Sequence, residues 1–153
     1  LWNYLQSMSI TYARLTRISV IALNRSSPIL YSIKSLNLSH NSLRLLNKNF
    51  SFYFPSVEQL DLSHNRLILL GQRTLSNFLH LKELFLHDNR LKHLHPDSIP
   101  RQSLQRLNLN GNLWHCSCRN IQSLALSRPL PTCRTPSIYF NQNVSDIARQ
   151  CLL

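Results

Sequence analysis

Four segments of the chain repeat one pattern of apolar and polar residues. The pattern is L-x-x-L-x-L-x-x-N-x-L, and Ile, Val or Trp takes a Leu place in some copies. The copies are IKSLNLSHNSL (33–43), VEQLDLSHNRL (57–67), LKELFLHDNRL (81–91) and LQRLNLNGNLW (104–114). The Asn of the pattern recurs at intervals of 24, 24 and 23 residues, at Asn41, Asn65, Asn89 and Asn112. A near-constant period indicates a stack of similar units, because one such unit cannot cover its own apolar face.

Within each unit, the alternation x-L-x-L-x has the two-residue period of a β-strand. It predicts a buried face formed by Leu36, Leu38, Leu60, Leu62, Leu84, Leu86, Leu107 and Leu109. The chain must turn inward after each strand, so we expect the Asn amides to stack as a ladder that satisfies unpaired backbone groups. Prolines in the second half of each unit disfavour long helices there. That half also supplies the apolar residues of the convex side, which are Leu46, Phe50, Phe54, Leu70, Leu75, Phe78, Leu94 and Ile99.

These segments resemble the units of the leucine-rich repeat family, whose period is about 20 to 29 residues. The resemblance implies an α/β repeat solenoid, a short curved arch with a parallel concave sheet and a mostly irregular convex side. It is clear over residues 33–151 and decays before Ile33. There, Leu15, Ile18 and Val20 have strand spacing but are not followed by the pattern Asn. This region is interpreted as a degenerate edge strand or as the remnant of a truncated repeat or cap.

All four cysteines, Cys116, Cys118, Cys133 and Cys151, lie in the last quarter of the chain. An even number clustered beyond the last repeat favours a local disulfide staple. A zinc site is the alternative, although the C-x-C pair is tighter than the usual zinc spacing and no second close pair exists. Four glycosylation sequons fit an oxidising, extracellular setting, and they begin at Asn24, Asn37, Asn49 and Asn143.

The stretch N-L-W-x-C-x-C around Trp114 resembles the cysteine-rich C-terminal cap of extracellular leucine-rich repeat proteins, such as Slit-like proteins, Toll-like and Nogo-type receptors and variable lymphocyte receptors. The resemblance implies disulfides from Cys116 to Cys133 and from Cys118 to Cys151. We expect Ile121, Leu124 and Leu126 to pack on the last repeat beside Trp114. The predicted organisation is therefore an N-terminal edge (1–32), four repeats (33–112) and a C-terminal cap (113–153).

Residues between the buried leucines should face outward from the concave sheet, in columns that run across the units. Phe85 is the most informative of them, because an exposed aromatic can anchor a partner, although a lone exposed apolar residue needs no such role. Ser39 and Ser63 are predicted to share the third column with His87 and Asn110. The predicted ligand-binding residues are Asn37, Gln59, Asp61, Glu83, Phe85, His87, Arg106 and Asn108.

A histidine-rich column follows, in which His40, His64 and Asp88 align and His87 lies beside Asp88. Such a group can bind a metal or respond to pH. Solvated turn residues are the favoured interpretation, because two successive units simply repeat the sequence S-H-N. The neighbouring Asp61, Ser63 and His64 lack the context of a hydrolase site, so we expect no catalytic residue, metal or other cofactor.

The sequence therefore predicts a non-enzymatic extracellular protein-binding module, as the ectodomain of a small cell-surface receptor or adhesion protein. A secreted matrix or immune-recognition protein is the first alternative, and a polyanion binder is the second. With 17 Lys and Arg against 6 Asp and Glu, the net charge of +11 favours a polyanionic glycan as a further partner. The charges form no continuous run, so specific nucleic-acid binding is not expected. A membrane anchor, where one exists, is expected outside this chain, which contains no apolar stretch of spanning length.

Overall fold

The computed structural model describes residues 4–18, 30–47 and 49–151, and it shows a parallel β-solenoid. Five strands lie side by side in chain order. They are β1 (Ser7–Ser9), β2 (Ser35–Asn37), β3 (Gln59–Asp61), β4 (Glu83–Phe85) and β5 (Arg106–Asn108). Every neighbouring pair is parallel and in register, so that one column runs through Met8, Leu36, Leu60, Leu84 and Leu107. The predicted fold class is confirmed.

The core of the solenoid lies between the sheet and the irregular convex side. All eight leucines of the predicted buried face are at most 3% exposed. On the convex side, two 3-10 helices, Phe50–Tyr53 and Pro96–Ser98, replace longer helices. Phe50 and Phe78 pack edge to face at 5.8 Å between ring centroids, and of the predicted convex residues only Leu46 stays half-buried.

The predicted Asn ladder is confirmed. Asn65 Nδ2 donates to the carbonyl oxygens of Leu62 (3.2 Å) and of Leu38 in the preceding unit (3.0 Å), and Asn65 Oδ1 accepts from Leu43 N at 3.0 Å. Asn89 and Asn112 make the equivalent bonds one and two units further on. Each amide thereby satisfies buried backbone groups in two units and joins them.

The first strand does not lie where the spacing of Leu15 and Ile18 predicts it. Both residues lie outside any strand, Val20 lies outside the described residues, and β1 is Ser7–Ser9. Residues 5–15, LQSMSITYARL, therefore form a fifth unit in which Ala13 takes the Asn place. Asn41 of the next unit still makes its ladder bonds to this unit, because its Oδ1 accepts from Leu15 N at 3.1 Å and its Nδ2 donates to Ile10 O at 2.7 Å; its Oδ1 also accepts from Ala13 N at 3.1 Å.

Beyond the last strand, the chain forms a small helical cap. It contains α1 (Cys118–Leu124), a 3-10 helix (Ser137–Tyr139) and α2 (Val144–Gln150). The structure joins Cys116 to Cys133 and Cys118 to Cys151, the pairing that the resemblance implies, and leaves no cysteine for zinc. No helix among the described residues is long and apolar enough to span a membrane.

The apolar interior of the cap rests on the last repeat through Trp114. This side chain is fully buried, and its Nε1 donates to Leu109 O at 2.8 Å. Ile121 and Leu124 are buried as predicted, at 2% and 0% exposure. The prediction for Leu126 is wrong, because α1 ends before it and its side chain is 44% exposed in the following turn.

Candidate functional site

Two rows of side chains cross the exposed face of the sheet. The register aligns Ser35, Gln59, Glu83 and Arg106 in the first row, and Asn37, Asp61, Phe85 and Asn108 in the second. The two rows contain seven of the eight predicted ligand-binding residues. The eighth, His87, lies two residues after Phe85 and is half-buried. The fold therefore brings all eight onto one surface.

The first row is bonded internally from end to end. Ser35 Oγ donates to Gln59 Oε1 at 3.1 Å, and Gln59 Nε2 donates to Glu83 Oε2 at 3.3 Å. Glu83 Oε1 then lies 3.3 Å from Arg106 Nη1. Because these polar groups already have partners, the row forms a continuous hydrophilic strip across four strands.

The second row is also satisfied internally, except in the unit of β4. In the units of β2, β3 and β5, a side-chain oxygen in this row accepts from the backbone N two residues later, at 2.9 to 3.1 Å. The pairs are Asn37 with Ser39, Asp61 with Ser63, and Asn108 with Asn110. Phe85 cannot accept such a bond, and its ring instead meets His87 edge to face at 6.3 Å between centroids. The unit of β4 thus replaces a polar pair by an aromatic pair.

The predicted third column is not a uniform outward row. Ser39 and Ser63 are only 5% and 2% exposed, because the chain has already begun its inward turn toward the Asn ladder. His87 occupies the same position but is too large to be enclosed there, and it remains half-buried. The expectation that Ser39 and Ser63 face outward is therefore wrong.

A column of rings ending in a carboxylate follows. His40, His64 and Asp88 each have a positive φ of 50° to 54°, as does Tyr12 at the same place in the first unit. The Tyr12 and His40 rings stack at 4.4 Å, and the His40 and His64 rings at 4.2 Å. Sequence reasoning identified the histidines but missed Tyr12. The available signal was the alignment of LQSMSITYARL with the other units, which places Tyr12, one residue before Ala13, at the position of His40 and His64.

Some cations on the rim of the sheet are paired with a carboxylate, whereas others have no acidic partner among the described residues. Glu58 lies between Lys34, at 3.6 Å, and Lys82, to which it is directly bonded. The hydrogen bond and the charge of Lys82, followed by the charge of Lys34, hold the pKa of the Glu58 carboxyl below its usual range. The four cations Arg44, Arg66, Arg90 and Lys92 lie in the loops after β2, β3 and β4, and none has an acidic partner in the part of the chain that the structure describes.

The sequons differ in accessibility. Asn49 and Asn143 are exposed, whereas Asn37 is half-buried in the second row of the sheet. Asn24 lies outside the described residues. Of the three described sequons, Asn49 and Asn143 therefore offer the easier attachment points.

Comparison with known proteins agrees with this architecture. The leucine rich repeat family model matches residues 3–67 and 55–113, which include the unit of β1. No curated protein matches the chain in sequence. The crystal structure of human 5T4, also named trophoblast glycoprotein and Wnt-activated inhibitory factor 1, is similar, with a TM-score of 0.67 and 26% identity.

The match to 5T4 covers 87% of this chain and 52% of that chain, so this chain spans about half the length of the solved structure. The two C-terminal disulfides fit the cysteine-rich cap of extracellular repeat proteins. On the family-model match over most of its length, the chain belongs to the leucine-rich repeat family.

Proposed function

We propose that the chain is a non-enzymatic extracellular protein-binding module, which acts as the ectodomain of a cell-surface receptor or adhesion protein. Membership of the leucine-rich repeat family supports a protein-binding role in general. The proposed contact surface is the exposed face of the sheet, centred on Phe85. Strands about 4.8 Å apart give a strip roughly 15 to 20 Å wide across β2 to β5, which suits a loop or a peptide edge.

The observation that carries this proposal is the change of chemistry in the unit of β4. In the other second-row residues from β2 to β5, a side-chain oxygen accepts a hydrogen bond from the backbone N two residues later and so stabilises the turn that follows. Phe85 makes no such bond, and its half-buried ring lies between two polar neighbours, Asp61 and Asn108. An aromatic side chain surrounded by satisfied polar groups is a typical centre of binding energy, because its burial by a partner needs little polar desolvation.

An extracellular location is supported by three features. Disulfides persist in oxidising compartments, and both lie in a compact cap. Asn49 and Asn143 offer exposed sequons, and the similar structure is of a protein named a glycoprotein. We propose glycosylation at these two positions. A secreted form would share all three features and would differ in having no anchor beyond this chain.

The test is a binding screen followed by a matched pair of variants. The chain, multimerised to raise avidity, is screened against a library of cell-surface proteins, and each partner is measured again with Phe85→Ala. We expect affinity to fall at least about 30-fold, the loss typical of a central aromatic contact. Phe52→Ala is the control, because Phe52 is a 62% exposed aromatic on the convex side. A partner that tolerates Phe85→Ala but loses affinity with Phe52→Ala would place the contact surface elsewhere.

A second candidate function, binding of a sulfated glycan, is favoured by the cations without acidic partners. Arg66 and Arg90 occupy equivalent positions in successive units, where the unit of β2 has Ser42. We expect the double variant Arg66→Ser, Arg90→Ser to elute from heparin at lower salt than a variant with Arg17→Ser and Arg149→Ser, which has the same net charge. Equal elution of the two variants would show that only total charge matters, and would remove this candidate.

A further inference from the structure

We propose that His64, His87 and Asp88 form a binding site for a transition-metal ion, with Zn²⁺ as the expected ion. One ring nitrogen from each histidine and one carboxylate oxygen lie within 4.8 Å of one another. The His64 Nδ1 to Asp88 Oδ2 distance is 3.5 Å. The site shares His87 with the proposed binding face, but it rests on its own geometry, independently of any protein partner.

The cluster arises because the unit of β4 departs from its neighbours. The units of β2 and β3 have the sequence S-H-N before and at the ladder position, whereas the unit of β4 has H-D-N. His87 therefore stands where Ser39 and Ser63 are buried, and Asp88 stands where His40 and His64 stack. A continued ring stack would need only another histidine at position 88. The repeat thus explains His40 and His64, but it does not explain why His87 and Asp88 both change.

His64 is already held in place by its neighbours. His40 stacks on one face of its ring, at 4.2 Å and an interplanar angle of 11°, and His87 meets it edge to face at 5.1 Å. Asp88 is positioned from the other side, because a Cβ at Gly111 would lie 2.0 Å from Asp88 Oδ1. Glycine at 111 therefore leaves the space that the carboxylate occupies. Ligands held in advance lose less entropy when a metal binds.

His87 has an unmet hydrogen-bonding need. Its Nδ1 is buried and has no hydrogen-bond partner among the described residues. A buried polar atom without a partner is costly and uncommon in folded proteins. Coordination of a metal through Nδ1 would give this atom a partner. This observation is independent of the distances within the cluster.

Two imidazoles and one carboxylate favour Zn²⁺ over Mg²⁺ or Ca²⁺, which prefer sets made of oxygen ligands alone. Zinc bonds of about 2.0 to 2.2 Å place tetrahedral ligand atoms about 3.4 Å apart, so side-chain rotations must close the present separations. Three protein ligands leave a fourth position for water. His64 and Asp88 side chains are 40% and 49% exposed, so that position is accessible to solvent or to a partner's side chain.

The test is a calorimetric titration of the whole chain with ZnCl₂. Any purification tag is first removed, and bound metal is first stripped with a chelator. We expect one saturable site in the wild-type chain and no comparable response to MgCl₂. His87→Ser and Asp88→Asn should each weaken zinc binding at least about tenfold, because loss of even an outer-sphere partner costs 10- to 100-fold in known sites. Serine occupies the equivalent buried position in two other units, and asparagine tolerates a positive φ, so both variants should fold.

His95→Ser is the matched control. His95 also faces an aspartate, with 3.7 Å between His95 Nδ1 and Asp97 Oδ2, but no third ligand among the described residues joins them. Zinc binding by this variant should equal that of the wild type, and zinc should raise the melting temperature of both but not that of His87→Ser. No saturable site in the wild-type chain, or equal binding by His87→Ser and Asp88→Asn, would overturn the proposal. Neither result would alter the effect of Phe85→Ala on a protein partner.

Discussion

The two ends of the sheet are finished in different ways. At the C-terminal end, the cap bonds to the edge of β5: Arg128 N donates to Leu107 O at 2.7 Å, and Leu109 N donates to Ser127 Oγ at 2.9 Å. At the N-terminal end, no described residue hydrogen-bonds to the outer edge of β1. The same difference appears in the column of buried residues, where Leu107 is 3% exposed and Met8 is only half-buried.

The C-terminal end is closed by two separate devices. Trp114 and the cap helices exclude water from the last leucines, while Ser127 and Arg128 satisfy the backbone of the last strand. Apolar cover alone would leave buried polar groups without partners, and those groups cost about 1 to 3 kcal/mol each. Among the described residues, the end at β1 has neither device.

Removal of both disulfides should lower the stability of the chain more than any other change proposed. It should also loosen the cap, so that the C-terminal end of the sheet loses the cover that the end at β1 lacks among the described residues. In a variant with serine at all four cysteines, the cap loses two constraints that close chain separations of 17 and 33 residues. We expect the free energy of unfolding to fall by at least about 4 kcal/mol, since one bridge typically contributes 2 to 5 kcal/mol. Denaturant titration measures the loss.

Amide exchange in the same variant localises the effect. Leu109 N should lose its protection, because its acceptor Ser127 Oγ belongs to the cap. Amides of β2, which are bonded within the sheet, serve as the internal control. If Leu109 stayed as protected as in the wild type, the cap would not be what closes this end.

The sequence predicts the repeated interior and most of the C-terminal cap better than it predicts the first unit, for a physical reason. An interior residue such as Leu60 has an equivalent leucine on each side, Leu36 and Leu84, so period and alternation determine its burial. The first unit was missed because Ala13 replaces the ladder Asn, so the most distinctive position of the pattern is absent there. The prediction for Leu126 failed because the end of α1 decides its exposure and no repeat specifies that end.

The sequence predicted the exposed rows of the candidate site but not the exposure of every residue in it. Strand alternation placed Phe85 and its row neighbours on one face, since side chains two residues apart share a face. It failed for Ser39 and Ser63, where the strand geometry has already ended. The repeat register did place Asp88 next to His64, with His87 beside it. It could not show that one ligand atom from each residue lies within 4.8 Å of the others, because side-chain rotamers decide those distances.

Alanine substitution of the residue at each end of the buried column, Met8 and Leu107, should sharpen the comparison. We expect an intermediate loss of stability. Leu107→Ala removes a buried side chain and should lower the free energy of unfolding by about 2 to 5 kcal/mol. Met8→Ala removes a side chain that is already partly in water and should cost less than about 2 kcal/mol. Denaturant titration of both variants gives the difference directly. Equal losses would mean that β1 is as well covered in solution as β5.

The smallest effect is expected midway between the ends, at Glu58, where neither cap nor edge contributes. The cations Lys82 and Lys34 lower the pKa of this carboxyl in the folded chain, so its ionised form favours folding. That contribution is complete above the unfolded-state pKa and is lost as the pH falls through the lowered folded-state pKa. Glu58→Gln should therefore change stability slightly at neutral pH and flatten the stability profile only in the acid range. Unfolding measured from neutral to acid pH tests this, with Asp97→Asn as the control, because Asp97 is exposed in the 3-10 helix Pro96–Ser98 and faces His95 rather than a lysine. A profile equally steep in Glu58→Gln and the wild type would show that this ion pair, like most exposed pairs, adds nothing to the cohesion between units.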